Sequence, residues 1–188
     1  MTSDVKIRVL TQRDREAYWN LRLEALEREP QSFIESAEEH RAMARERGAA
    51  RLRRTNNSSL VMGAFFKGEL VGMAGFFRER HLKTRHKGRI WGVYVRANCR
   101  GKGLGARLLL ALLKRLKKLP GLEQVNLSVS SSLAVARKLY RSLGFETFGV
   151  EDKALKIGDT YLSEEHMLLR LKAPWKKARR RILVVTAP

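Results

Sequence analysis

The hexapeptide RGKGLG at positions 100–105 lies between the apolar run IWGVYV and the amphipathic run ARLLLALLKRLKKL. It packs three glycines and two cations into six residues where a strand is expected to give way to a helix. Glycine reaches positive φ without steric cost and lets a ligand approach the backbone closely. A helix start carries four unpaired N–H groups and the positive end of the helix dipole. A flexible cationic turn leading into a helix is therefore built to hold an anion, above all a phosphate. This requires a strand–loop–helix unit, and so an α/β architecture around it.

The flanking sequence supplies one. VKIRVL (5–10) alternates as a strand does, and Thr11 opens a helix whose apolar stripe takes in Tyr18, Leu21 and Ala25, with Trp19, Leu23 and Leu26. AEEHRAMARERGAARLRR reads as a second, Arg-rich helix, ended by NNSS (56–59). LVMGAFF and LVGMAGFFRER, joined by KGE, predict a β-hairpin. IWGVYV (90–95) predicts a buried central strand, and 106–119 predicts a helix with Leu109, Leu112, Leu113 and Leu116 on one face. VNLSV (125–129) follows as a strand, then a helix whose stripe holds Leu133, Ala136, Tyr140 and Leu143. Gly144 stops that helix, and ETFGVED and EEHMLLRL form a closing β pair. The expected fold is mixed α/β, with a strand–helix–strand unit over 90–129. Residues 1–171 are read as a single domain and 172–188 as a basic tail, in which Ile182 to Val185 could add an edge strand or meet a second copy.

Length and charge limit the function classes. A 188-residue chain most naturally forms one domain with a core of its own. Its only cysteine, Cys99, excludes an internal disulfide and fits a reducing, cytoplasmic setting. The polar start MTSDVKIRVL is not a signal peptide, and no apolar run reaches the roughly 18 residues of a membrane helix. No metal is expected. The formal charge of +20 calls for an anionic partner, whether nucleic acid, an anionic surface or a polyphosphate cofactor. RERHLKTRHKGR (78–89) and KAPWKKARRR (172–181) are its local peaks; solvated faces are the plain alternative for both.

Three phosphate-binding patterns compete for the loop. No G-x-x-x-x-G-K-[ST] string exists, which removes the P-loop. A G-x-G-x-x-A match at Gly101, Gly103 and Ala106 has the dinucleotide form. However, the expected acid is misplaced: Glu123 precedes its strand rather than ending it. The third pattern, R-x-x-G-x-G at Arg100, Gly103 and Gly105, follows the strand end Val93-Tyr94-Val95. About 40 residues further on comes LYRSLGF. With VYVRANCRGKGLGARLL, LSVSSSLAVARKLYRSLGF and EEHMLLRL, the chain resembles the GNAT superfamily of acyl-CoA-dependent N-acyltransferases over roughly residues 5–171.

The resemblance implies a mostly antiparallel sheet of about six to seven strands with flanking helices. It implies acetyl-CoA as co-substrate, its pyrophosphate held by main-chain amides of Arg100, Gly101, Lys102, Gly103, Leu104 and Gly105, with Ala106 opening the helix. It implies that the pantetheine arm pairs with the backbone of Val93, Tyr94 and Val95. Tyr140 matches the tyrosine that protonates the departing thiolate, although a half-buried tyrosine on an apolar face is the structural alternative. One departure stands out. Leu133 occupies a position where the family often has Asn, leaving Ser131 or Ser132 to substitute.

The remaining roles stay open at this level. Glu79, His86 and Glu35 are candidates for the base. Cys99 borders the loop, but direct transfer needs no cysteine. Glu35, Glu38 and Glu165 are acids that could meet a cationic amine; acids at a helix start are the alternative explanation. The leading function is acetyl transfer from acetyl-CoA to a primary amine. The alternatives are a non-catalytic basic protein of this fold that binds nucleic acid, and an acetyl-CoA sensor. Nucleic acid is not favoured, because aromatics make up 7% and do not interleave with the basic runs. No membrane partner is expected, and a homodimer stays open.

Overall fold

The computed structural model describes residues 4–43, 52 and 58–171. Seven strands form one sheet in the order β1-β2-β3-β4-β5-β7-β6. They are β1 (Val5–Val9), β2 (Ser59–Phe66), β3 (Glu69–Arg78), β4 (Lys87–Val95), β5 (Gln124–Ser130), β6 (Glu146–Ile157) and β7 (Thr160–Arg170). Every neighbouring pair is antiparallel except β4 and β5. Helices α1 (Arg15–Arg28) and α2 (Ala37–Ala42) precede β2, α3 (Leu104–Leu116) joins β4 to β5, and α4 (Ala134–Ser142) precedes β6. This is the expected mixed α/β, mostly antiparallel architecture.

The apolar runs of β2 and β3 do not alternate because both faces of these strands are covered. Leu60, Met62 and Ala64 of β2 join Val71, Ala74 and Phe76 of β3 in a core beneath α3. Val61 and Phe65 turn the other way, with Leu70 and Met73, into a second core beneath α1. Leu52 is buried in that second core. Helix α3 closes the first core with Leu108, Leu109, Leu112 and Leu116, each fully buried. Each such leucine contributes about 1.5–3 kcal/mol from lost water contact. The hairpin turn is Lys67-Gly68, both at positive φ (49° and 84°), the two-residue form whose twist matches the strands it joins.

Two boundaries differ from expectation. Helix α3 starts at Leu104, inside the glycine motif, with Gly103 as its N-cap at φ 72°. Gly105 and Ala106 therefore lie in its first turn rather than Ala106 opening it. Helix α2 ends at Ala42, where Met43 turns extended, instead of running on through the expected Arg-rich stretch; beyond Met43 only Leu52 of that stretch is among the described residues. The expected tail and the Ile182–Val185 strand also lie outside them.

Candidate functional site

Strands β4 and β5 pair in parallel over only three positions, Lys87↔Gln124, Gly88↔Val125 and Arg89↔Asn126. Beyond Arg89, β4 stays bonded to β3 up to Val95, and β5 pairs with β7 up to Ser130. The two strands therefore separate like the arms of a V, with no ladder between their inner edges beyond Arg89. A bulge helps to turn β4 outward. Gly92 and Val93 stand opposite the single residue Ala74, and Gly92 takes φ 61°.

The glycine motif caps the open end of the V. After a 3-10 turn at Ala97–Cys99, Gly101 and Gly103 take φ 75° and 72°. Both conformations favour glycine, and a Cβ at either position would meet nothing within 4 Å. The space beside this backbone is therefore open. Gly103 offers no side-chain cap, so the first-turn amides of α3 have no intrahelical partner. The cations around the motif play structural parts. Arg100 donates from Nε to the Val95 carbonyl (2.8 Å) and from its guanidinium to Glu29 (2.7 Å), fixing the loop to β4 and α1. Lys102 reaches only the Asn98 carbonyl, at 3.5 Å. Cys99 is a free thiol, half-buried against the α3 core.

On β4, Val93 and Val95 pack on the α3 side. The Tyr94 side chain goes the other way and donates to Glu24 at 3.0 Å, tying β4 to α1. Burial, then the Glu24 contact, pushes its phenol up to about 12. Tyr140, on α4, is 7% exposed and meets Phe145 edge-on at 6.0 Å. Among the described residues its hydroxyl has no hydrogen-bond partner. Burial drives its pKa far above the usual phenol value, so it stays protonated near neutral pH. Leu133 forms the N-cap of α4 and packs on the core. Ser132 is tied to Ser130 at 2.9 Å, and the Ser131 carbonyl accepts from Arg137.

On the other face of the sheet, a cleft of about 520 Å3 opens over the parting strands. Arg22 of α1, the loop Ser32–Glu35, Glu39 and Met43 form one wall; Arg89–Gly92, Ser128 and Glu164 form the other. Of the acids expected at an acceptor site, Glu35 is here, bound by Arg22 through Nε (3.0 Å) and NH2, and near His40 Nδ1 (3.4 Å). Glu38 is not among the lining residues, and Glu39, which is, accepts from the Ser36 amide at 2.7 Å as a helix cap. Glu165 is absent as well. It is buried on the α4 side, held by Arg137, by Arg141 (2.9 Å) and by Thr147 (2.9 Å). Burial pushes its carboxyl up, but the bonds from Thr147 and Arg137 outweigh this and leave it low.

Glu79 and His86 lie elsewhere. They line a separate hollow with Arg78, Pro120, Gly121 and Glu123, where β4 and β5 begin and are still paired. The acid that the cleft does receive is Glu164, which pairs with no described cation or donor. Burial raises its pKa and nearby Glu151 adds to this, opposed by His166 and Arg89. A hydrogen-bonded row runs beside it on the same face: Ser128 Oγ to His166 Nδ1 (2.9 Å), and His166 Nε2 to Glu151 (3.0 Å). Sequence reasoning missed Glu164, Ser128, His166 and Arg22. For Arg22 the signal was available: it sits four residues after Tyr18, inside the apolar stripe of α1.

The sheet is thus opened between two parallel strands, with unpaired helix-start amides at the mouth of the gap and a cleft on its other face. Residues 17–145 match the model of the acetyltransferase (GNAT) family, and the chain belongs to that family. It is 33% identical over 95 residues to the spermine/spermidine N(1)-acetyltransferase of Bacillus subtilis, a match covering 48% of this chain and 62% of that one. The chain thus spans less than two thirds of that relative's length. It is 36% identical over 111 residues to the L-2,4-diaminobutyric acid acetyltransferase of Virgibacillus pantothenticus, covering 49% and 67%. Its fold is shared with a Salmonella typhimurium protein solved with its cofactor acetyl-CoA, at 22% identity, TM-score 0.79, and coverage of 92% and 97%.

Proposed function

We propose that this protein transfers the acetyl group of acetyl-CoA to a primary amine within a single ternary complex. The observation that carries the reading is the parting of β4 from β5 after Arg89, with the unpaired amides of Gly101 to Ala106 at the mouth of the gap. In this reading those amides hold the diphosphate; the expected Arg100 amide is not among them, because it already donates to the Ala97 carbonyl at 3.1 Å. The pantetheine lies along Val93–Val95. The thioester reaches the middle of the sheet, where the cleft delivers the amine from the opposite face.

The amine nitrogen attacks the thioester carbonyl carbon; the new C–N bond forms, and the C–S bond breaks as the tetrahedral adduct collapses. Tyr140 donates its proton to the leaving thiolate. Its unbonded hydroxyl and raised pKa support that role. Glu164 takes the proton from the amine. The row Ser128–His166–Glu151 runs beside it toward solvent, where the Glu151 side chain is 58% exposed. A cytoplasmic enzyme fits the free Cys99 and the supply of acetyl-CoA. Residues 1–171 would form the catalytic domain. The relatives' names include both a polyamine and an amino acid as acceptors, and either kind satisfies this scheme.

The test is a thermal shift with acetyl-CoA, CoA and NADH, followed by thiol release with a panel of amines. Acetyl-CoA and CoA should both stabilise the protein, and at least one amine should release thiol. Stabilisation by NADH alone overturns the reading. Tyr140→Phe should lower kcat roughly 100-fold with little change in acetyl-CoA affinity.

A further inference from the structure

Arg22 is 4% exposed, although the stripe it occupies on α1 is otherwise apolar. Its Nε and NH2 both go to Glu35, and the rings of Phe33 and Trp91 flank the guanidinium at 5.7 and 5.4 Å. NH1 has no partner among the described residues. It abuts β4 where the strands part: a Cβ built on Gly92 would lie 3.2 Å from it. Arg22 and Gly92 both line the cleft.

A buried donor left unpaired costs about 1–3 kcal/mol, and more on a charged group. Glu35 balances the charge of Arg22 but uses only one edge of its fork. The second edge is held rigid by two aromatic rings and shielded from bulk water. It is prepared for an acceptor oxygen brought in by whatever fills the cleft. Glu39 and Glu164 offset Arg89 among the remaining charges of the cleft, so it is the desolvated guanidinium donor itself, through a charge-assisted hydrogen bond, that favours an anionic oxygen over a neutral one. The opposite preference belongs to Glu164, the unpaired acid of the same cleft.

We infer that the acceptor is an amino acid or a close analogue, whose carboxylate is taken by the free edge of Arg22 while its amine lies toward Glu164. This rests on the acetyl-transfer reading above. It also names what that reading leaves open, since a polycation without an anionic group leaves NH1 unpaired.

The test compares amino acids with their decarboxylated partners: 2,4-diaminobutyrate with 1,3-diaminopropane, lysine with 1,5-diaminopentane, and methionine with 3-(methylthio)propylamine. At least one carboxylated member should show kcat/KM higher than its partner by on the order of tenfold or more, mostly through KM. Arg22→Lys keeps a cation beside Glu35 but removes the fork, and it should narrow that gap. Decarboxylated partners that are equal or better overturn the inference in the unmodified protein, whether or not the variant folds. So does acetyl-CoA binding with no turnover of any pair. A gap unchanged in folded Arg22→Lys removes Arg22 from the account. Failure to bind acetyl-CoA at all strikes the parent reading instead.

Discussion

Glu164 and Glu165 adjoin in sequence but are separated by the sheet. Side chains alternate across a strand, so Glu165 and Met167 face α4, while Glu164 and His166 face the cleft. Glu165 is locked as a carboxylate by Arg137, Arg141 and Thr147 and has no freedom to exchange protons. Glu164 is unpaired, and burial raises its pKa. As a base it works only when ionised, so activity should rise with pH through that raised pKa. The acid limb of kcat/KM should therefore lie above the range of an ordinary exposed carboxylate. Glu164→Gln should remove this limb and lower kcat roughly 100-fold or more, while acetyl-CoA affinity is kept. A limb that persists in Glu164→Gln transfers the role to His166. The sequence named Glu165 as the acid of EEH that could meet the amine, and the fold puts Glu164 in the cleft instead. Parity is decided by register, and a one-residue shift exchanges the faces. Leu23 and Arg22 repeat the lesson, since the expected stripe took the leucine and the fold buried the arginine.

At the scale of elements, the strand–loop–helix unit was legible because its signals are local. Glycines, a cation and a leucine stripe within twenty residues announce both the turn and the buried face of α3. The parting of β4 from β5 was not local, since it depends on β7 claiming the rest of β5. No residue of β4 or β5 signals it in the sequence. What the structure adds to the motif is the helix start at Leu104, which puts Gly103 at the cap in left-handed conformation. Gly103→Ala should cost about 1–2 kcal/mol of strain, with no clash, because the site is open. A methyl group there would also stand where the diphosphate is proposed to approach. The expected outcome is a fall in Tm of a few degrees with a rise in acetyl-CoA Kd on the order of tenfold. Loss of stability alone, with affinity intact, would mean that the phosphates bind elsewhere.

For the whole molecule, the formal charge of +20 exceeds what the site employs. Arg8, Arg22, Arg96, Arg100, Arg137 and Arg141 are engaged with Asp14, Glu35, Glu24, Glu29 and Glu165, so part of the cationic charge braces the fold. A net charge of this size still gives the protein a positive field. A polyphosphate co-substrate is drawn to such a field over about 10 Å at 0.1 M salt, but only about 3 Å at 1 M. Main-chain amides act at contact distance and are nearly indifferent to this range. Kinetics in a neutral-salt series can therefore separate steering from gripping. If the field contributes, KM for acetyl-CoA should rise on the order of tenfold between those salt concentrations, while kcat changes little. If KM stays flat, the glycine loop alone accounts for binding, and the surplus charge serves some other anionic partner. That result would return weight to the nucleic-acid alternative, which the composition of the chain left open.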